Sequence, residues 1–268
     1  MHTYSALIRD EQQLTRFLGS LSDDASRSVL IQLLSSQDER QIRSYAQLIE
    51  ERLPEAKIIG HSTRHVIHQG DIHHHSTLIA VSVFCCTQLS AAHVPLQGHP
   101  DNEAASLTEQ LELNEQSKLI ISFSQLTNGR DYNLYLALNP IADVPVCGGL
   151  AASVDGQPAW LLLGTDIHHD SSIAVALHGE SLSVWRCAFA EWNPIGSPLR
   201  VTAVSGNKLI SLNHEPAYDV FRQRLADGKA LTLEQMLSFP LQRDNRQQIC
   251  VPSLSLIHIS EPTRQVPI

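Results

Sequence analysis

Of the fourteen histidines in this chain, His61, His65, His68, His73, His74 and His75 crowd into one stretch, GHSTRHVIHQGDIHHHS. Imidazole is the commonest side-chain ligand for transition metals, and a rigid site needs two to four ring nitrogens held together by groups that fix their tautomers. The spacing names no specific metal, because neither H-E-x-x-H nor a Cys/His zinc pattern accompanies it. Gly70-Asp71 reads as a turn, so alternation along one strand does not survive it. A two-strand arrangement would instead set His65 or His68 opposite His73 or His75. The plain alternative is a hydrated, histidine-rich hairpin loop. His178 and His214 read as a strand end and a junction, cap or turn residues rather than ligands, and His168-His169 as part of an exposed polar loop.

Cys147 is a second residue with chemistry of its own, a candidate nucleophile at a strand end just before Gly148-Gly149. No helix-opening signature such as G-x-S-x-G surrounds it, so the thiol-enzyme reading is weak on motif. The other cysteines, Cys85, Cys86, Cys187 and Cys250, lie in β-like runs or stand without a C-x-x-C partner, and all five read as reduced, buried thiols.

These residues need a scaffold, and the composition is that of a globular chain: 268 residues, 43% hydrophobic, with a formal net charge of −9. The negative balance supplies no basic stripe to neutralise phosphates, so nucleic acid is not an expected partner. No apolar run reaches membrane length, and MHTYSALIRDEQQ lacks a basic segment followed by an apolar one. The expectation is a cytoplasmic protein without a membrane partner.

Residues 1–27 are mixed, with Leu7, Leu14, Phe17, Leu18 and Leu21 at loosely helical spacing. A buried strand over Ser28 to Ser35, a helix from Gln37 to Leu53 ended by Pro54, and the strand AKIIG make an opening strand–helix–strand unit. Thr77 to Phe84 and Lys118 to Ser124 read as strands, separated by a polar linker over 93–102 and a helix over 103–116. A short helix is expected over Tyr132 to Leu138, then strands over Trp160 to Gly164, Ile173 to Leu177 and Leu182 to Phe189. VTAV and KLISL flank a Ser205-Gly206-Asn207-Lys208 turn and predict a hairpin. Asn213 or His214 would then cap a helix opening on Glu215-Pro216, with Ala217, Val220, Phe221 and Leu225 on its apolar stripe. The fold class is α+β: a layered sheet-and-helix sandwich with mixed or antiparallel sheets.

The order of PVCGGLAAS, an aromatic-rich strand, the Pro-Ile-Gly turn of AEWNPIGSPLR, the hairpin and the helix PAYDVF resembles the FIST sensory family. The resemblance runs from about Ser28 to Phe239. It rests on order and spacing, since no single motif is a catalytic signature. It implies a non-enzymatic intracellular module that binds a small ligand, possibly an amino acid, and relays the event to a downstream signalling domain or kinase. Family members carry a G-C/S-S/T-T pattern at the end of the strand that here reads AKIIG. Gly60, His61, Ser62 and Thr63 keep most of that pattern and put an imidazole at the strand end. Some FIST proteins look like haem-based nitric oxide sensors, which makes His61 the candidate iron ligand and haem the candidate cofactor.

A ligand pocket is expected where Gly148 and Gly149 let backbone approach closely, near Gly60 to Thr63 and near Trp192 and Asn193, with backbone N–H groups and Arg64 holding an anionic group. The rival readings are a haem sensor, a thiol-dependent enzyme using Cys147, and an interaction module without a ligand. The expected organisation is an amino-terminal extension over 1–27, a FIST amino-terminal-like domain over 28–213, and the start of a truncated carboxy-terminal-like domain over 214–253. The final stretch 254–268, LSLIHISEPTRQVPI, is similar to a translated sequencing-library adapter, is set aside from fold reasoning, and implies a native protein that continues past Ser253.

Overall fold

The computed structural model describes residues 1–21, 28–125, 130–185, 196–205, 208–226, 228–231, 241–243 and 248–250. The chain divides into two compact units, Met1–Val184 and Trp185–Ile268.

The first unit holds two mixed sheets. Strands β1 (His2–Ile8), β2 (Ser28–Ser35), β3 (Lys57–Ser62), β6 (Thr77–Phe84), β10 (Leu161–Leu163) and β11 (Asp166–His168) form one sheet in the order β1-β6-β2-β3-β10-β11. Strands β7 (Gln88–Pro95), β8 (Ser117–Gln125), β9 (Val146–Ala151) and β12 (Ser171–His178) form the other, in the order β7-β12-β8-β9. Between β3 and β6 the chain makes a separate hairpin, β4 (Val66–His68) with β5 (Asp71–His73). The parallel pairs are β2/β3 and β8/β9, and each is joined by a helix, α2 (Glu39–Arg52) and α4 (Arg130–Ala142), as a parallel connection requires.

The helices begin where the sequence can cap them. Asp10 opens α1 (Glu11–Gly19) by accepting from the Gln13 N–H at 2.8 Å, and Asp38 opens α2 by accepting from the Gln41 N–H at 2.9 Å. Helix α3 (Pro100–Gln110) starts on a proline, whose missing N–H costs nothing in a first turn. Along α2, Ile42, Tyr45, Ala46 and Ile49 are fully buried and meet Ile31, Leu33, Ile58, Val81 and Leu162 of the first sheet, together with Leu14 and Leu18 of α1. On the far side, Ala104, Leu107 and Leu111 pack with Leu134 and Leu138 of α4 against Ile120, Ala174 and Ala176 of the second sheet.

The opposite faces of the two sheets pack on each other. Leu30, Ile59 and Leu161 of the first sheet meet Phe123, Ala151, Ile173, Val175 and Leu177 of the second. The first unit is therefore four layers deep, helix–sheet–sheet–helix, and the expected α+β sandwich with mixed sheets is what forms. Strand β12, covered on both faces, is buried at every position, and each of Ile173, Val175 and Leu177 contributes about 1.5–3 kcal/mol by leaving water. Among the described residues, no helix is long and apolar enough to cross a membrane.

In the second unit β13 (Val201–Ser205), β14 (Lys208–Leu212) and β15 (Glu215–Pro216) form a three-stranded sheet, followed by α5 (Ala217–Ala226) and the pair β16 (Leu241–Arg243) and β17 (Gln248–Cys250). Leu212, Ala217, Val220, Phe221 and Leu231 make its core.

Several expectations change at element level. The stretch expected as an amino-terminal extension supplies β1, which pairs with β6 from His2↔Val83 to Ile8↔Thr77, and α1, which buries Leu14 and Leu18. The linker expected over 93–102 begins inside β7, and α3 starts three residues before the expected helix. The expected cap at Asn213 and His214 is instead a turn with φ of 51° and 69°, which returns Glu215-Pro216 to pair with Ser211 and Leu212. Residues 182–185 form no strand, and 186–189 lie outside the described residues.

Candidate functional site

Alternation decides what faces the gap between the two sheets. In β3, Ile58 turns to the helical layer and Ile59 to the second sheet, so His61 follows Ile59 into the inter-sheet layer. In β9, Val146 turns to α3 and α4 while Ala151 joins the inter-sheet core, which puts Gly149 on the same side as Ala151. His61 and Gly149 accordingly meet: a β-carbon placed on Gly149 would lie 3.8 Å from His61 Nε2, with no other heavy atom of the described residues, chain neighbours aside, within 4 Å. The imidazole also packs edge-on to Phe123 of β8, ring centroids 4.5 Å apart. Two sequence segments almost ninety residues apart are thereby brought to one place by the sandwich.

Burial pushes the His61 pKa down, partly offset by the bond to the Ser62 carbonyl, so the ring is neutral at neutral pH. Its Nδ1 lies 2.9 Å from Ser62 O, an acceptor only, so Nδ1 carries the proton and donates. The lone pair therefore sits on Nε2, facing Gly149. A neutral imidazole fixed in this way can accept a hydrogen bond from an ammonium or hydroxyl group, or ligate a metal.

The other residues of the strand end hold the frame. A β-carbon on Gly60 would approach Leu33 O to 2.4 Å, and one on Gly148, whose φ is 150°, would approach Ser122 O to 1.7 Å. Both glycines are demanded by packing. Ser62 is fully buried, its Oγ accepting from the Trp160 N–H at 2.9 Å and its N–H donating to Trp160 O at 3.0 Å. The Thr63 N–H donates to Ser35 O at 2.8 Å and its Oγ1 to His65 O at 3.0 Å. The N–H groups of Ser62 and Thr63 are thus committed to the fold rather than open to an anion, which leaves the exposed Arg64 as the local cation. Trp192 and Asn193 lie outside the described residues.

Haem is tested by the space beside Nε2. The donor is right, since an Nε2 lone pair with Nδ1 hydrogen-bonded to a carbonyl is how a ligating histidine is held. The enclosure is not: β9 backbone stands directly across from Nε2, close enough that a macrocycle fits only if β9 moves.

The remaining histidines resolve into separate roles. Gln69 and Gly70, with φ of 53° and 91°, make a two-residue turn joining β4 to β5. Of the expected pairings, His68 meets His73 with centroids 6.5 Å apart, while His65 meets His74 at 4.3 Å and His75 faces Asp155 at 3.9 Å. Among the described residues, no three His, Cys, Asp or Glu side chains converge to hold a metal ion. His178 is no turn residue: it is buried in β12, held by Ser117 Oγ at Nδ1 (2.9 Å) and Ser90 Oγ at Nε2 (2.8 Å). His168 belongs to β11, not to an exposed loop, and stacks on His93, which the sequence reading assigned to a linker.

Cys85, Cys86 and Cys147 are free and exposed, correcting the expectation of buried thiols; Cys85 and Cys86 follow the end of β6 rather than sitting within it. Although the Cys147 residue is exposed, partial burial of its thiol pushes the pKa up, opposite to what an activated nucleophile needs. Cys187 lies outside the described residues.

A search among curated proteins finds no match. The family model described as FIST N domain matches residues 29–215, which span both glycine-bearing strand ends, His61 and the hairpin of the second unit. That match covers well over half of the sequence, and the chain belongs to the FIST N domain family, a family of signal-transduction sensory domains.

Proposed function

We propose that this domain senses a small metabolite, an amino acid being the favoured class, in the narrow gap between His61 and Gly149, and passes the event to a downstream signalling domain or kinase. The observation that carries this reading is the free Nε2 lone pair of a neutral, oriented imidazole facing a residue without a side chain. Nε2 would accept from the ligand's ammonium or hydroxyl group, and Arg64 supplies the positive charge for its carboxylate. The sensory module is taken as residues 28–213, and the three exposed free thiols suit a reducing, cytoplasmic setting. A sensory rather than catalytic role agrees with the family and with the raised thiol pKa of Cys147.

Ligand occupancy relays a signal only if it favours one of two arrangements of the protein. The gap is bounded by β3 of the first sheet and β9 of the second, so a ligand seated there would bias how the two sheets pack.

The test is a thermal-shift screen of the twenty amino acids and common metabolites, followed by calorimetry on the chain and on His61→Ala and Gly149→Val. Binding that disappears in both variants while their folding is unchanged supports the site. Binding that both variants retain places the ligand elsewhere. A parallel hemin titration separates the haem reading: a stoichiometric Soret band that shifts with nitric oxide and vanishes in His61→Ala would replace the metabolite reading.

A further inference from the structure

The hairpin between β3 and β6 carries a pair of histidines that the ligand gap does not use. The β4/β5 ladder pairs Val66 with His73, so the next residues outward, His65 and His74, emerge side by side at the open end of the hairpin. Their ring centroids lie 4.3 Å apart at an interplanar angle of 71°. This is close to the spacing of two imidazoles bound at neighbouring positions of one metal, with metal–nitrogen bonds of about 2.0–2.1 Å.

The backbone beneath both rings is pinned. Thr63 Oγ1 donates to the His65 carbonyl at 3.0 Å, and Ser76 Oγ donates to the His74 carbonyl at 2.9 Å. Val66 and Ser76, the neighbouring anchors, are buried at 2% and 0% exposure, so the pair stands on a fixed base. The rings themselves are exposed, leaving room for water to complete a coordination sphere. The second pair does not compete: His68 and His73 are 6.5 Å apart, and His68 Nε2 is engaged by Ser5 Oγ at 3.3 Å. Asp155, beside His75 at 3.9 Å, places a negative charge next to the hairpin.

We propose that His65 and His74 chelate one divalent transition cation with a preference for nitrogen ligands, of the Cu2+ or Zn2+ kind. The site is independent of the His61 gap. Once one imidazole has bound, the second ligation is intramolecular, so losing either ring weakens binding on the order of 100-fold.

The experiment titrates Cu2+ into the EDTA-treated full chain, read by calorimetry and by electron paramagnetic resonance, with Zn2+ as competitor. The expected result is one tight Cu2+ with two nitrogen donors, weakened about 100-fold in His65→Asn and in His74→Asn and retained in His68→Asn and His61→Ala. Both target residues are exposed, and equal melting temperatures in EDTA confirm that the variants fold. The proposal is overturned if the His65→Asn/His74→Asn double variant binds Cu2+ as the parent does, or if the parent shows only weak binding spread over many sites.

Discussion

His93 of β7 stacks on His168 of β11 with ring centroids 3.8 Å apart and planes inclined by 24°, so two imidazoles join the edge of one sheet to the edge of the other. Burial lowers the pKa of both rings; for His93 the neighbouring His168 adds to the effect, and for His168 Asp166 opposes it while His169 adds to it. The His93 ring is tied by Nε2 to Ser171 Oγ at 3.1 Å, and His169 is itself paired with Glu39 at 3.3 Å.

The consequence is a stability that depends on pH in one direction. Each ring takes up its proton at lower pH in the folded chain than in the unfolded chain, where it titrates near its ordinary value of 6.5, so as pH falls through that value the unfolded state takes up more protons. His61 and His178, also lowered by burial, add the same sign. The melting temperature should hold above pH 7 and fall steadily as pH drops below about 6.5. His168→Phe keeps a stacked ring and removes one titrating group, so its profile over the same range should be flatter than the parent's; an unchanged profile would dismiss the stack as the cause.

Gly148 and Gly149 are neighbours with opposite expected sensitivities. A methyl group on Gly148 would run into Ser122 O at 1.7 Å from a backbone with φ of 150°, whereas one on Gly149 meets His61 Nε2 at 3.8 Å, an ordinary contact. Gly148→Ala should therefore lose about 2 kcal/mol or more of stability in urea melts. Gly149→Ala should melt within about 0.5 kcal/mol of the parent. Gly149→Val should still fold while filling the space in front of Nε2. If both glycines behaved alike in urea, the assignment of one to the frame and the other to the gap would fail.

How much of this was readable beforehand follows from what each residue's role depends on. Thr77 to Phe84 is a strand with the expected bounds, because Thr77, Ile79 and Val81 alternate with less buried residues in a strand paired on both sides. Strand β7 was missed because its inner positions are Ala91 and Ala92 rather than large β-branched residues, and its outer end, His93-Val94-Pro95, reads as the start of a linker. Asn213 and His214 misled in the other direction, since asparagine caps helices and both types tolerate positive φ; pairing of Glu215-Pro216 with β14 settled which use was made. The meeting of His61 with Gly149 has no local signal at all. It depends on the stacking of two sheets, and only the family's order of motifs pointed to both strand ends. The same order suggested an anion cradle from Ser62 and Thr63, which sheet pairing and Trp160 consume.

Ser62 offers a further test of frame against gap. Its Oγ is the acceptor of the buried Trp160 N–H, and its N–H and carbonyl serve Trp160 O and the Ala152 N–H. Ser62→Ala leaves the Trp160 N–H without a partner in a buried setting, which costs about 1–3 kcal/mol. Urea melts should show that loss, and the His61-dependent ligand should bind the folded fraction with unchanged affinity. A variant as stable as the parent but unable to bind would instead make Ser62 a contact residue.

Glu103 is a buried carboxylate whose place in the fold predicts a graded series. The carboxylate lies in the first turn of α3 at 7% exposure, and its Oε1 accepts from the N–H groups of Gln97, Gly98 and His99 at 2.7, 2.9 and 3.1 Å. Three donors on one oxygen close the loop between β7 and α3, and a negative charge at a helix start is further favoured by the helix dipole. Oε2, by contrast, is buried without a hydrogen-bond partner, a cost that the three bonds to Oε1 must exceed. Glu103→Gln keeps an acceptor for the loop and removes the charge, so it should lose about 1 kcal/mol or less. Glu103→Ala strands three N–H groups, and the loss should be about 2–4 kcal/mol, with faster hydrogen exchange at residues 97–99. Equal destabilisation by Gln and Ala would mean that charge, not the three-donor cap, holds this loop to α3.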